Sequence, residues 1–177
     1  MNQGAGTLYD LTDKLRQQSP EHLDLFASLS DDEFQSAFDS LLGKALAGLE
    51  ESKKGFQSLD EPTLSAVLRL AMLVPGLSVA LEQHSNGHAD LTFESYRLGI
   101  ARRILGEAKI YDGPKYHIDG VGQLLGYMTG RELRGLMVVY MRKANGSGLM
   151  KNVRDTMDAD KPDNQQEIGR ASSRERV

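Results

Sequence analysis

Apolar side chains recur at helical spacing along most of the chain. Phe34, Ala37, Phe38, Leu41, Leu42, Ala45, Leu46 and Leu49 form a one-sided stripe, the pattern of an amphipathic helix. Ser30-Asp31-Asp32-Glu33 just before it fits a capping box, in which the serine oxygen and glutamate carboxylate satisfy amides that the first turn leaves unpaired. A helix over 31–54 is predicted, ending near Gly55. Leu8, Leu11 and Leu15 mark a shorter one, and Ser19-Pro20 restarts the chain with proline in a first turn, where its missing N–H costs nothing.

Asp60 is placed to cap the next helix, with Pro62 in its first turn. Leu64 to Val74 is apolar almost all round, as in a helix surrounded by neighbours, and Pro75-Gly76 should break it. The same spacing carries a helix from Asp90 or Thr92 to Ala108. A second capping-box match, Thr129-Gly130-Arg131-Glu132, opens GRELRGLMVVYMRK (Gly130 to Lys143). Wound as a helix at ~100° per residue, this segment gathers Leu133, Leu136, Met137, Tyr140 and Ala144 on one side and Arg131, Arg134 and Arg142 on the other. Only Ala108 to Asp119 breaks the pattern: two short runs around Asp112-Gly113-Pro114 read as a β-hairpin near 109–118 or as an irregular loop. The expected fold is all-α, a compact bundle of about six or seven helices in one domain over 1–157, centred on the 34–49 and 64–74 helices.

Composition narrows the chemistry. With 177 residues and 40% apolar content, the chain can bury a single core. It has no cysteine, which removes disulfides, thiolate metal sites and cysteine nucleophiles. The start lacks a secretory signal. The most apolar run, Leu64 to Leu81, holds Arg69 and Pro75 and reads as a buried helix pair, not a membrane span. A cytoplasmic location is expected. Asp158 to Gln166 is polar and linker-like. The following eleven residues, EIGRASSRERV (Glu167 to Val177), resemble the translation of a common short-read sequencing adapter, departing at Ser173, where cysteine is expected. The resemblance implies that 167–177 is not native and that the natural chain continues differently.

Charge is unevenly laid out. Residues 1–91 hold 6 Lys and Arg against 14 Asp and Glu, whereas residues 92–154 hold 11 against 5. Such asymmetry suggests a polyanion partner, or halves that neutralise each other. The residues expected to bind nucleic acid or another acidic partner are Arg102, Arg103, Lys109, Lys115, Tyr116, His117, Arg131, Arg134, Arg142 and Lys143, with phosphates held by neutralisation and the aromatic groups stacking. Read this way, the protein is a non-enzymatic helical module needing no cofactor. A protein-interaction or self-assembly domain, driven by the same asymmetry into a homo-oligomer, is the alternative. Arg97 falls in an apolar sector and is expected to pair with an acid of the N-terminal half. His84 and His88 have metal-ligand spacing, but Ser85-Asn86-Gly87 between them favours a turn; no metal site is expected.

A third reading is enzymatic. Asp90 followed by Glu107-Ala108-Lys109 resembles the Asp…Glu-x-Lys arrangement of a large nuclease superfamily. The resemblance implies carboxylates that hold Mg²⁺ and a lysine that steadies the attacking water. That family carries Glu-x-Lys on a strand within a sheet. Helical periodicity instead puts Glu107 at the end of a helix, with only Lys109-Ile110-Tyr111 extended.

Overall fold

The computed structural model describes residues 7–81, 89–142 and 146–160. Its N-terminal half is helical as the pattern predicts: α1 (Leu8–Gln18), α2 (Pro20–Ala27), α3 (Asp31–Glu51), α4 (Lys53–Phe56) and α5 (Glu61–Ala71). Ser30 and Glu33 form their capping box, the serine accepting from the Glu33 amide at 3.2 Å. Asp60 caps α5 by accepting from the Thr63 amide at 3.0 Å. Pro20 occupies the first turn of α2, and the chain leaves helix before Pro75-Gly76.

The second half overturns the all-α expectation. It forms β1 (Ser78–Leu81), β2 (Leu91–Arg97), β3 (Ile100–Ile110), α6 (Pro114–Tyr127), β4 (Arg134–Tyr140) and α7 (Gly146–Asp160). The fold is therefore α+β, with a four-stranded sheet of order β1-β2-β3-β4. β1, β2 and β3 form an antiparallel meander, and β4 lies parallel to β3. A parallel neighbour needs a crossover, which α6 supplies.

The segment read as one helix from 92 to 108 is the β2–β3 hairpin. Leu91, Phe93 and Ser95 are buried and alternate with more accessible residues, the period of a half-buried strand. Leu98 and Gly99 form the two-residue connection, both with positive φ (49° and 81°), as a tight hairpin turn demands. Glycine enters that region freely, but leucine does so at a cost. Replacing Leu98, 78% exposed, by Gly is expected to raise stability by up to about 1 kcal/mol, read from the urea midpoint. The expected 109–118 hairpin is absent for a related reason. Lys109 and Ile110 finish β3, while Pro114 occupies the first turn of α6 and Gly113 (φ 102°) turns the chain into it.

Of the expected Thr129–Glu132 box only the carboxylate half forms, and it precedes a strand, not a helix. Glu132 accepts from the Thr129 amide at 2.8 Å and the Arg131 amide at 3.2 Å, closing a turn that delivers Arg134–Tyr140 to the sheet. β-Branched Val138-Val139 beside Tyr140 suit a pleated surface better than a helix.

The sheet has helices on both faces. On one, Leu25 of α2, Phe34, Phe38 and Leu41 of α3, and Leu68 of α5 pack with Val79, Phe93, Ile104, Ala108 and Val138 of the strands. On the other, Leu124 of α6 packs on Leu105 and Ala89, and α7 lies against α6 with Val153 buried. The Leu64–Leu81 run is thus a helix followed by an edge strand, not a helix pair. α7 runs to Asp160, past the residue where the polar tail was expected to begin; 161–177, with the adapter-like segment, lies outside the described residues. No described helix is long and apolar enough to cross a membrane.

Candidate active site on the central strand

β3 is inner to the sheet, bonded to β2 on one side and β4 on the other. Its pairing with β2 stops at Leu91↔Gly106, whereas pairing with β4 continues to Ile110↔Tyr140. The last turn of the pleat therefore presents amides on the β2 side with no strand to receive them, and buried amides need acceptors. Two carboxylates fill the role. Asp90, immediately before β2, accepts from the Ala108 N–H at 2.8 Å, and Glu61, opening α5, accepts from the Ile110 N–H at 2.8 Å.

Strand period 2 puts Glu107 and Lys109 on the same face as Leu105, under α6. Their side chains meet there, with Glu107 Oε1 at 2.7 Å from Lys109 Nζ and Glu61 Oε1 at 3.6 Å from the same nitrogen. Acidic side chains from α5 and β3 thus meet at one ammonium, whose charged form Asp90 at the β2 entry also favours. Gly120 lets α6 come this close: a Cβ there would stand 3.2 Å from Lys109 Cγ and 2.8 Å from Met137 Cε. Tyr116, one turn earlier, holds its ring centroid 5.9 Å from Lys109 Nζ.

Glu107 is 3% exposed, and its Oε2 finds no hydrogen-bond partner among the described residues. Burial raises its pKa above the ordinary carboxylate value; Lys109 pulls it back down and Asp90 pushes it further up. For Lys109, burial works against the charged form, but the hydrogen bond to Glu107 and the charges of Glu107, Glu61 and Asp90 outweigh it, so its pKa rises. Lys109 is consequently a fixed cation at neutral pH and not a base. Tyr140, paired with Ile110, lies on the opposite face of the sheet, the one covered by α3 and α5. Burial pushes its phenol up to about 12, with the Asp90 and Glu61 charges adding to the effect and Ser65 opposing it. Its hydroxyl has no well-formed hydrogen bond among the described residues, since Ser65 donates to the Glu61 carbonyl at 3.0 Å instead.

The ten residues nominated from the sequence do not make one basic face. Arg102 is 2% exposed, bonded to Asp31 at 2.9 Å and to the Leu29 carbonyl at 3.2 Å. Arg134 pairs with Asp39, and Arg103 with Glu94 at 3.3 Å and Glu132 at 3.9 Å. Arg142 donates to the Leu59 carbonyl. The proposed helix does not exist, and two of its three arginines, Arg134 and Arg142, are met by Asp39 and the Leu59 carbonyl of the acidic first half. A nucleic-acid-binding stripe built on that helix, and with it an all-α fold, is therefore withdrawn. Arg131 is exposed in the turn before β4; Lys143, like His84 and His88, lies outside the described residues. Lys109, Lys115, Tyr116 and His117 do cluster, at the junction of β3 and α6. Arg97 stacks on Phe26, its guanidinium carbon 3.7 Å from the ring centroid, where an acid was expected.

His117 is buried in the first turn of α6, with Nδ1 unpartnered among the described residues. Burial lowers its pKa from the ordinary 6.5. A lowered histidine contributes stability above the unfolded value that is lost as pH falls through the native one. Urea midpoints of the wild type should therefore drop more between pH 7.5 and pH 5 than those of His117→Leu, about the window set by an ordinary histidine.

Sequence reasoning singled out Asp90, Glu107 and Lys109 through the Asp…Glu-x-Lys resemblance but missed Glu61. An acid in a helix's first turn is expected from the helix dipole alone, so Glu61 carried no distinguishing signal. A groove of about 370 Å³ lies elsewhere, among Leu41, Ala45, Leu49, Phe56 and Val67, and is mostly apolar. No family model matches the chain, nor does any curated protein or solved structure.

Proposed function

We propose that the protein is a divalent-cation-dependent phosphodiester hydrolase of nuclease type, acting through Asp90, Glu107 and Lys109 with Glu61 in support. The observation that carries this reading is the position of Glu107 and Lys109, two apart on one face of an inner strand. The resemblance requires such a strand, and periodicity alone had denied it. Asp90 adds to the support by hydrogen-bonding the amide between them.

Carboxylate oxygens from Asp90, Glu107 and Glu61 are the ligand type that Mg²⁺ or Mn²⁺ prefers, and Glu107 Oε2 is a buried acceptor still lacking a donor. Among the described residues no three such side chains stand at metal-holding separations; Lys109 Nζ, in contact with Glu107 and Glu61, supplies the local positive charge. A bound divalent cation would polarise a phosphoryl oxygen and acidify an attacking water.

The chain's own groups do the rest. Lys109, held charged, donates a hydrogen bond to the attacking oxygen and offsets charge growing on the phosphoryl group. Asp90 and Glu61 pin the backbone on either side of Lys109, so its ammonium is positioned before substrate arrives. α6 covers the pair and limits water around it. The test incubates the full chain with labelled oligonucleotides in Mg²⁺ or Mn²⁺. Cleavage that chelator abolishes and that Glu107→Gln removes is expected; no metal-dependent cleavage of any strand would end the reading.

A further inference from the structure

We infer that the protein self-associates by laying α1 of one copy into the α3–α5 groove of a second copy. The contact involves none of the β3 carboxylates and is independent of the hydrolase reading. Two surfaces that the fold leaves open carry it. The first is α1. Its start is closed by a capping box between Thr7 and Asp10, yet none of its residues is buried among the described residues. Leu8, Leu11 and Leu15 are 77%, 55% and 39% exposed, and helical period gathers them in one stripe. Thr12 and Asp13 are its half-buried residues, so α1 leans on α2 by another side. A helix of 11 residues is marginal in water without an apolar surface to pack on.

The second surface is the groove of about 370 Å³, lined by Leu41, Ala45 and Gly48 of α3, Phe56 of α4, and Val67 and Ala71 of α5. Packing among the described residues does not require Gly48, because a Cβ there would meet nothing within 4 Å. Glycine inside a helix is nonetheless destabilising relative to alanine. The missing side chain leaves room for one from a partner.

The two surfaces match in register. Leu11 and Leu15 stand three and seven residues after Leu8; Ala45 and Leu41 stand three and seven residues before Gly48. An antiparallel α1 therefore sets Leu8 on Gly48, Leu11 on Ala45 and Leu15 on Leu41, over about 10 Å of each helix. That sense turns the end of α1 with Lys14 and Arg16 toward the acidic first turn of α3, and Asp10 toward Lys53 and Lys54 beyond the far end of α3. Antiparallel dipoles agree with it. His22 of α2 also lines the groove, and a single residue, Ser19, separates α1 from α2. Because α1 leaves each chain beside its groove, two copies can exchange these helices reciprocally about a two-fold axis.

The experiment is light scattering on the full chain. Between about 10 μM and 1 mM, mass should rise from 19.5 kDa toward twice that value. The rise should persist in about 0.5 M salt, because the contact is apolar. Leu11→Glu and Gly48→Glu should each raise the dimer Kd at least about a hundredfold, since each alters both symmetric contacts. Both positions are exposed, so dilute samples should keep the wild-type circular dichroism. Mixing the variants should restore association. Leu11→Glu keeps its groove and Gly48→Glu keeps its helix, so one intact contact forms and the mixture gains mass that neither shows alone. A wild type that stays at 19.5 kDa throughout, a dimer indifferent to both substitutions, or a mixture that gains no mass overturns the inference. So does association that salt dissolves and Leu11→Glu leaves unchanged, which would be driven by charge.

Discussion

Glu107→Gln is expected to reduce metal-dependent phosphodiester cleavage by about 10³-fold while leaving the protein folded. The amide keeps the size and one acceptor oxygen of the carboxylate but loses its charge. A divalent cation then loses a ligand, and Lys109 loses its 2.7 Å partner. Folding should not suffer in step, because burial already disfavours ionised Glu107 and raises its pKa. Substituting a neutral isostere removes the cost of holding that charge out of water. Lys109 retains Glu61 at 3.6 Å, so the ammonium is not stranded. Single-turnover cleavage rates and thermal melts taken on the same samples separate the two effects. A variant that melts with the wild type and cuts as fast would remove Glu107 from the reaction. Loss of activity accompanied by global unfolding would instead assign it to the scaffold.

Much of the helical half was readable because its ends are written in polar side chains. Ser30 and Glu33, Asp60 and Thr63, and Pro20 each do locally what their spacing implies, and no distant contact is needed to make them act. The sheet was hidden by a coincidence of periods. Phe93, Arg97, Ile100, Ala101 and Ile104 share a helix face, yet on strands their pairing is Phe93↔Ile104, Tyr96↔Ala101 and Arg97↔Ile100 across a hairpin. The turn that would betray it carries Leu98-Gly99 in place of an Asn-Gly or Asp-Gly signal. β4 was hidden differently. As a parallel strand beside β3 it reads Leu136-Met137-Val138-Val139-Tyr140, an apolar run without alternation.

The same error of period displaced the candidate site. Glu-x-Lys was visible, but a helix would have sent the two side chains to different faces, whereas a strand brings them together. The charge asymmetry was real and its destination was not legible. Asp31 meets Arg102 across 71 residues, and Asp39 meets Arg134 across 95, separations that only the folded sheet brings together.

Phe38→Ala is expected to cost about 3–5 kcal/mol, the range for an aromatic ring removed from a packed interior. That is a large share of the roughly 5–15 kcal/mol that holds a typical domain folded. Phe38 is fully buried. Its ring meets Phe93 edge-on at 5.1 Å and 81°, and tilts against Phe34 at 6.2 Å. The Arg134 guanidinium sits over it at 5.4 Å, so the truncation opens a cavity between α3 and the sheet and also takes away the surface on which that ion pair rests. Any packed fold would penalise the loss, so the decisive quantity is the coupling to Phe93, which belongs to a strand. A double-mutant cycle over Phe38→Ala and Phe93→Ala in urea should return an interaction energy of at least about 0.5–1.5 kcal/mol. Leu46→Ala on the same helix, 38% exposed, should show no coupling to Phe93 beyond about 0.5 kcal/mol. Additive losses at Phe38 and Phe93 would mean that α3 does not pack on β2, and the layer that supports β3 and its carboxylates from behind would have to be rebuilt.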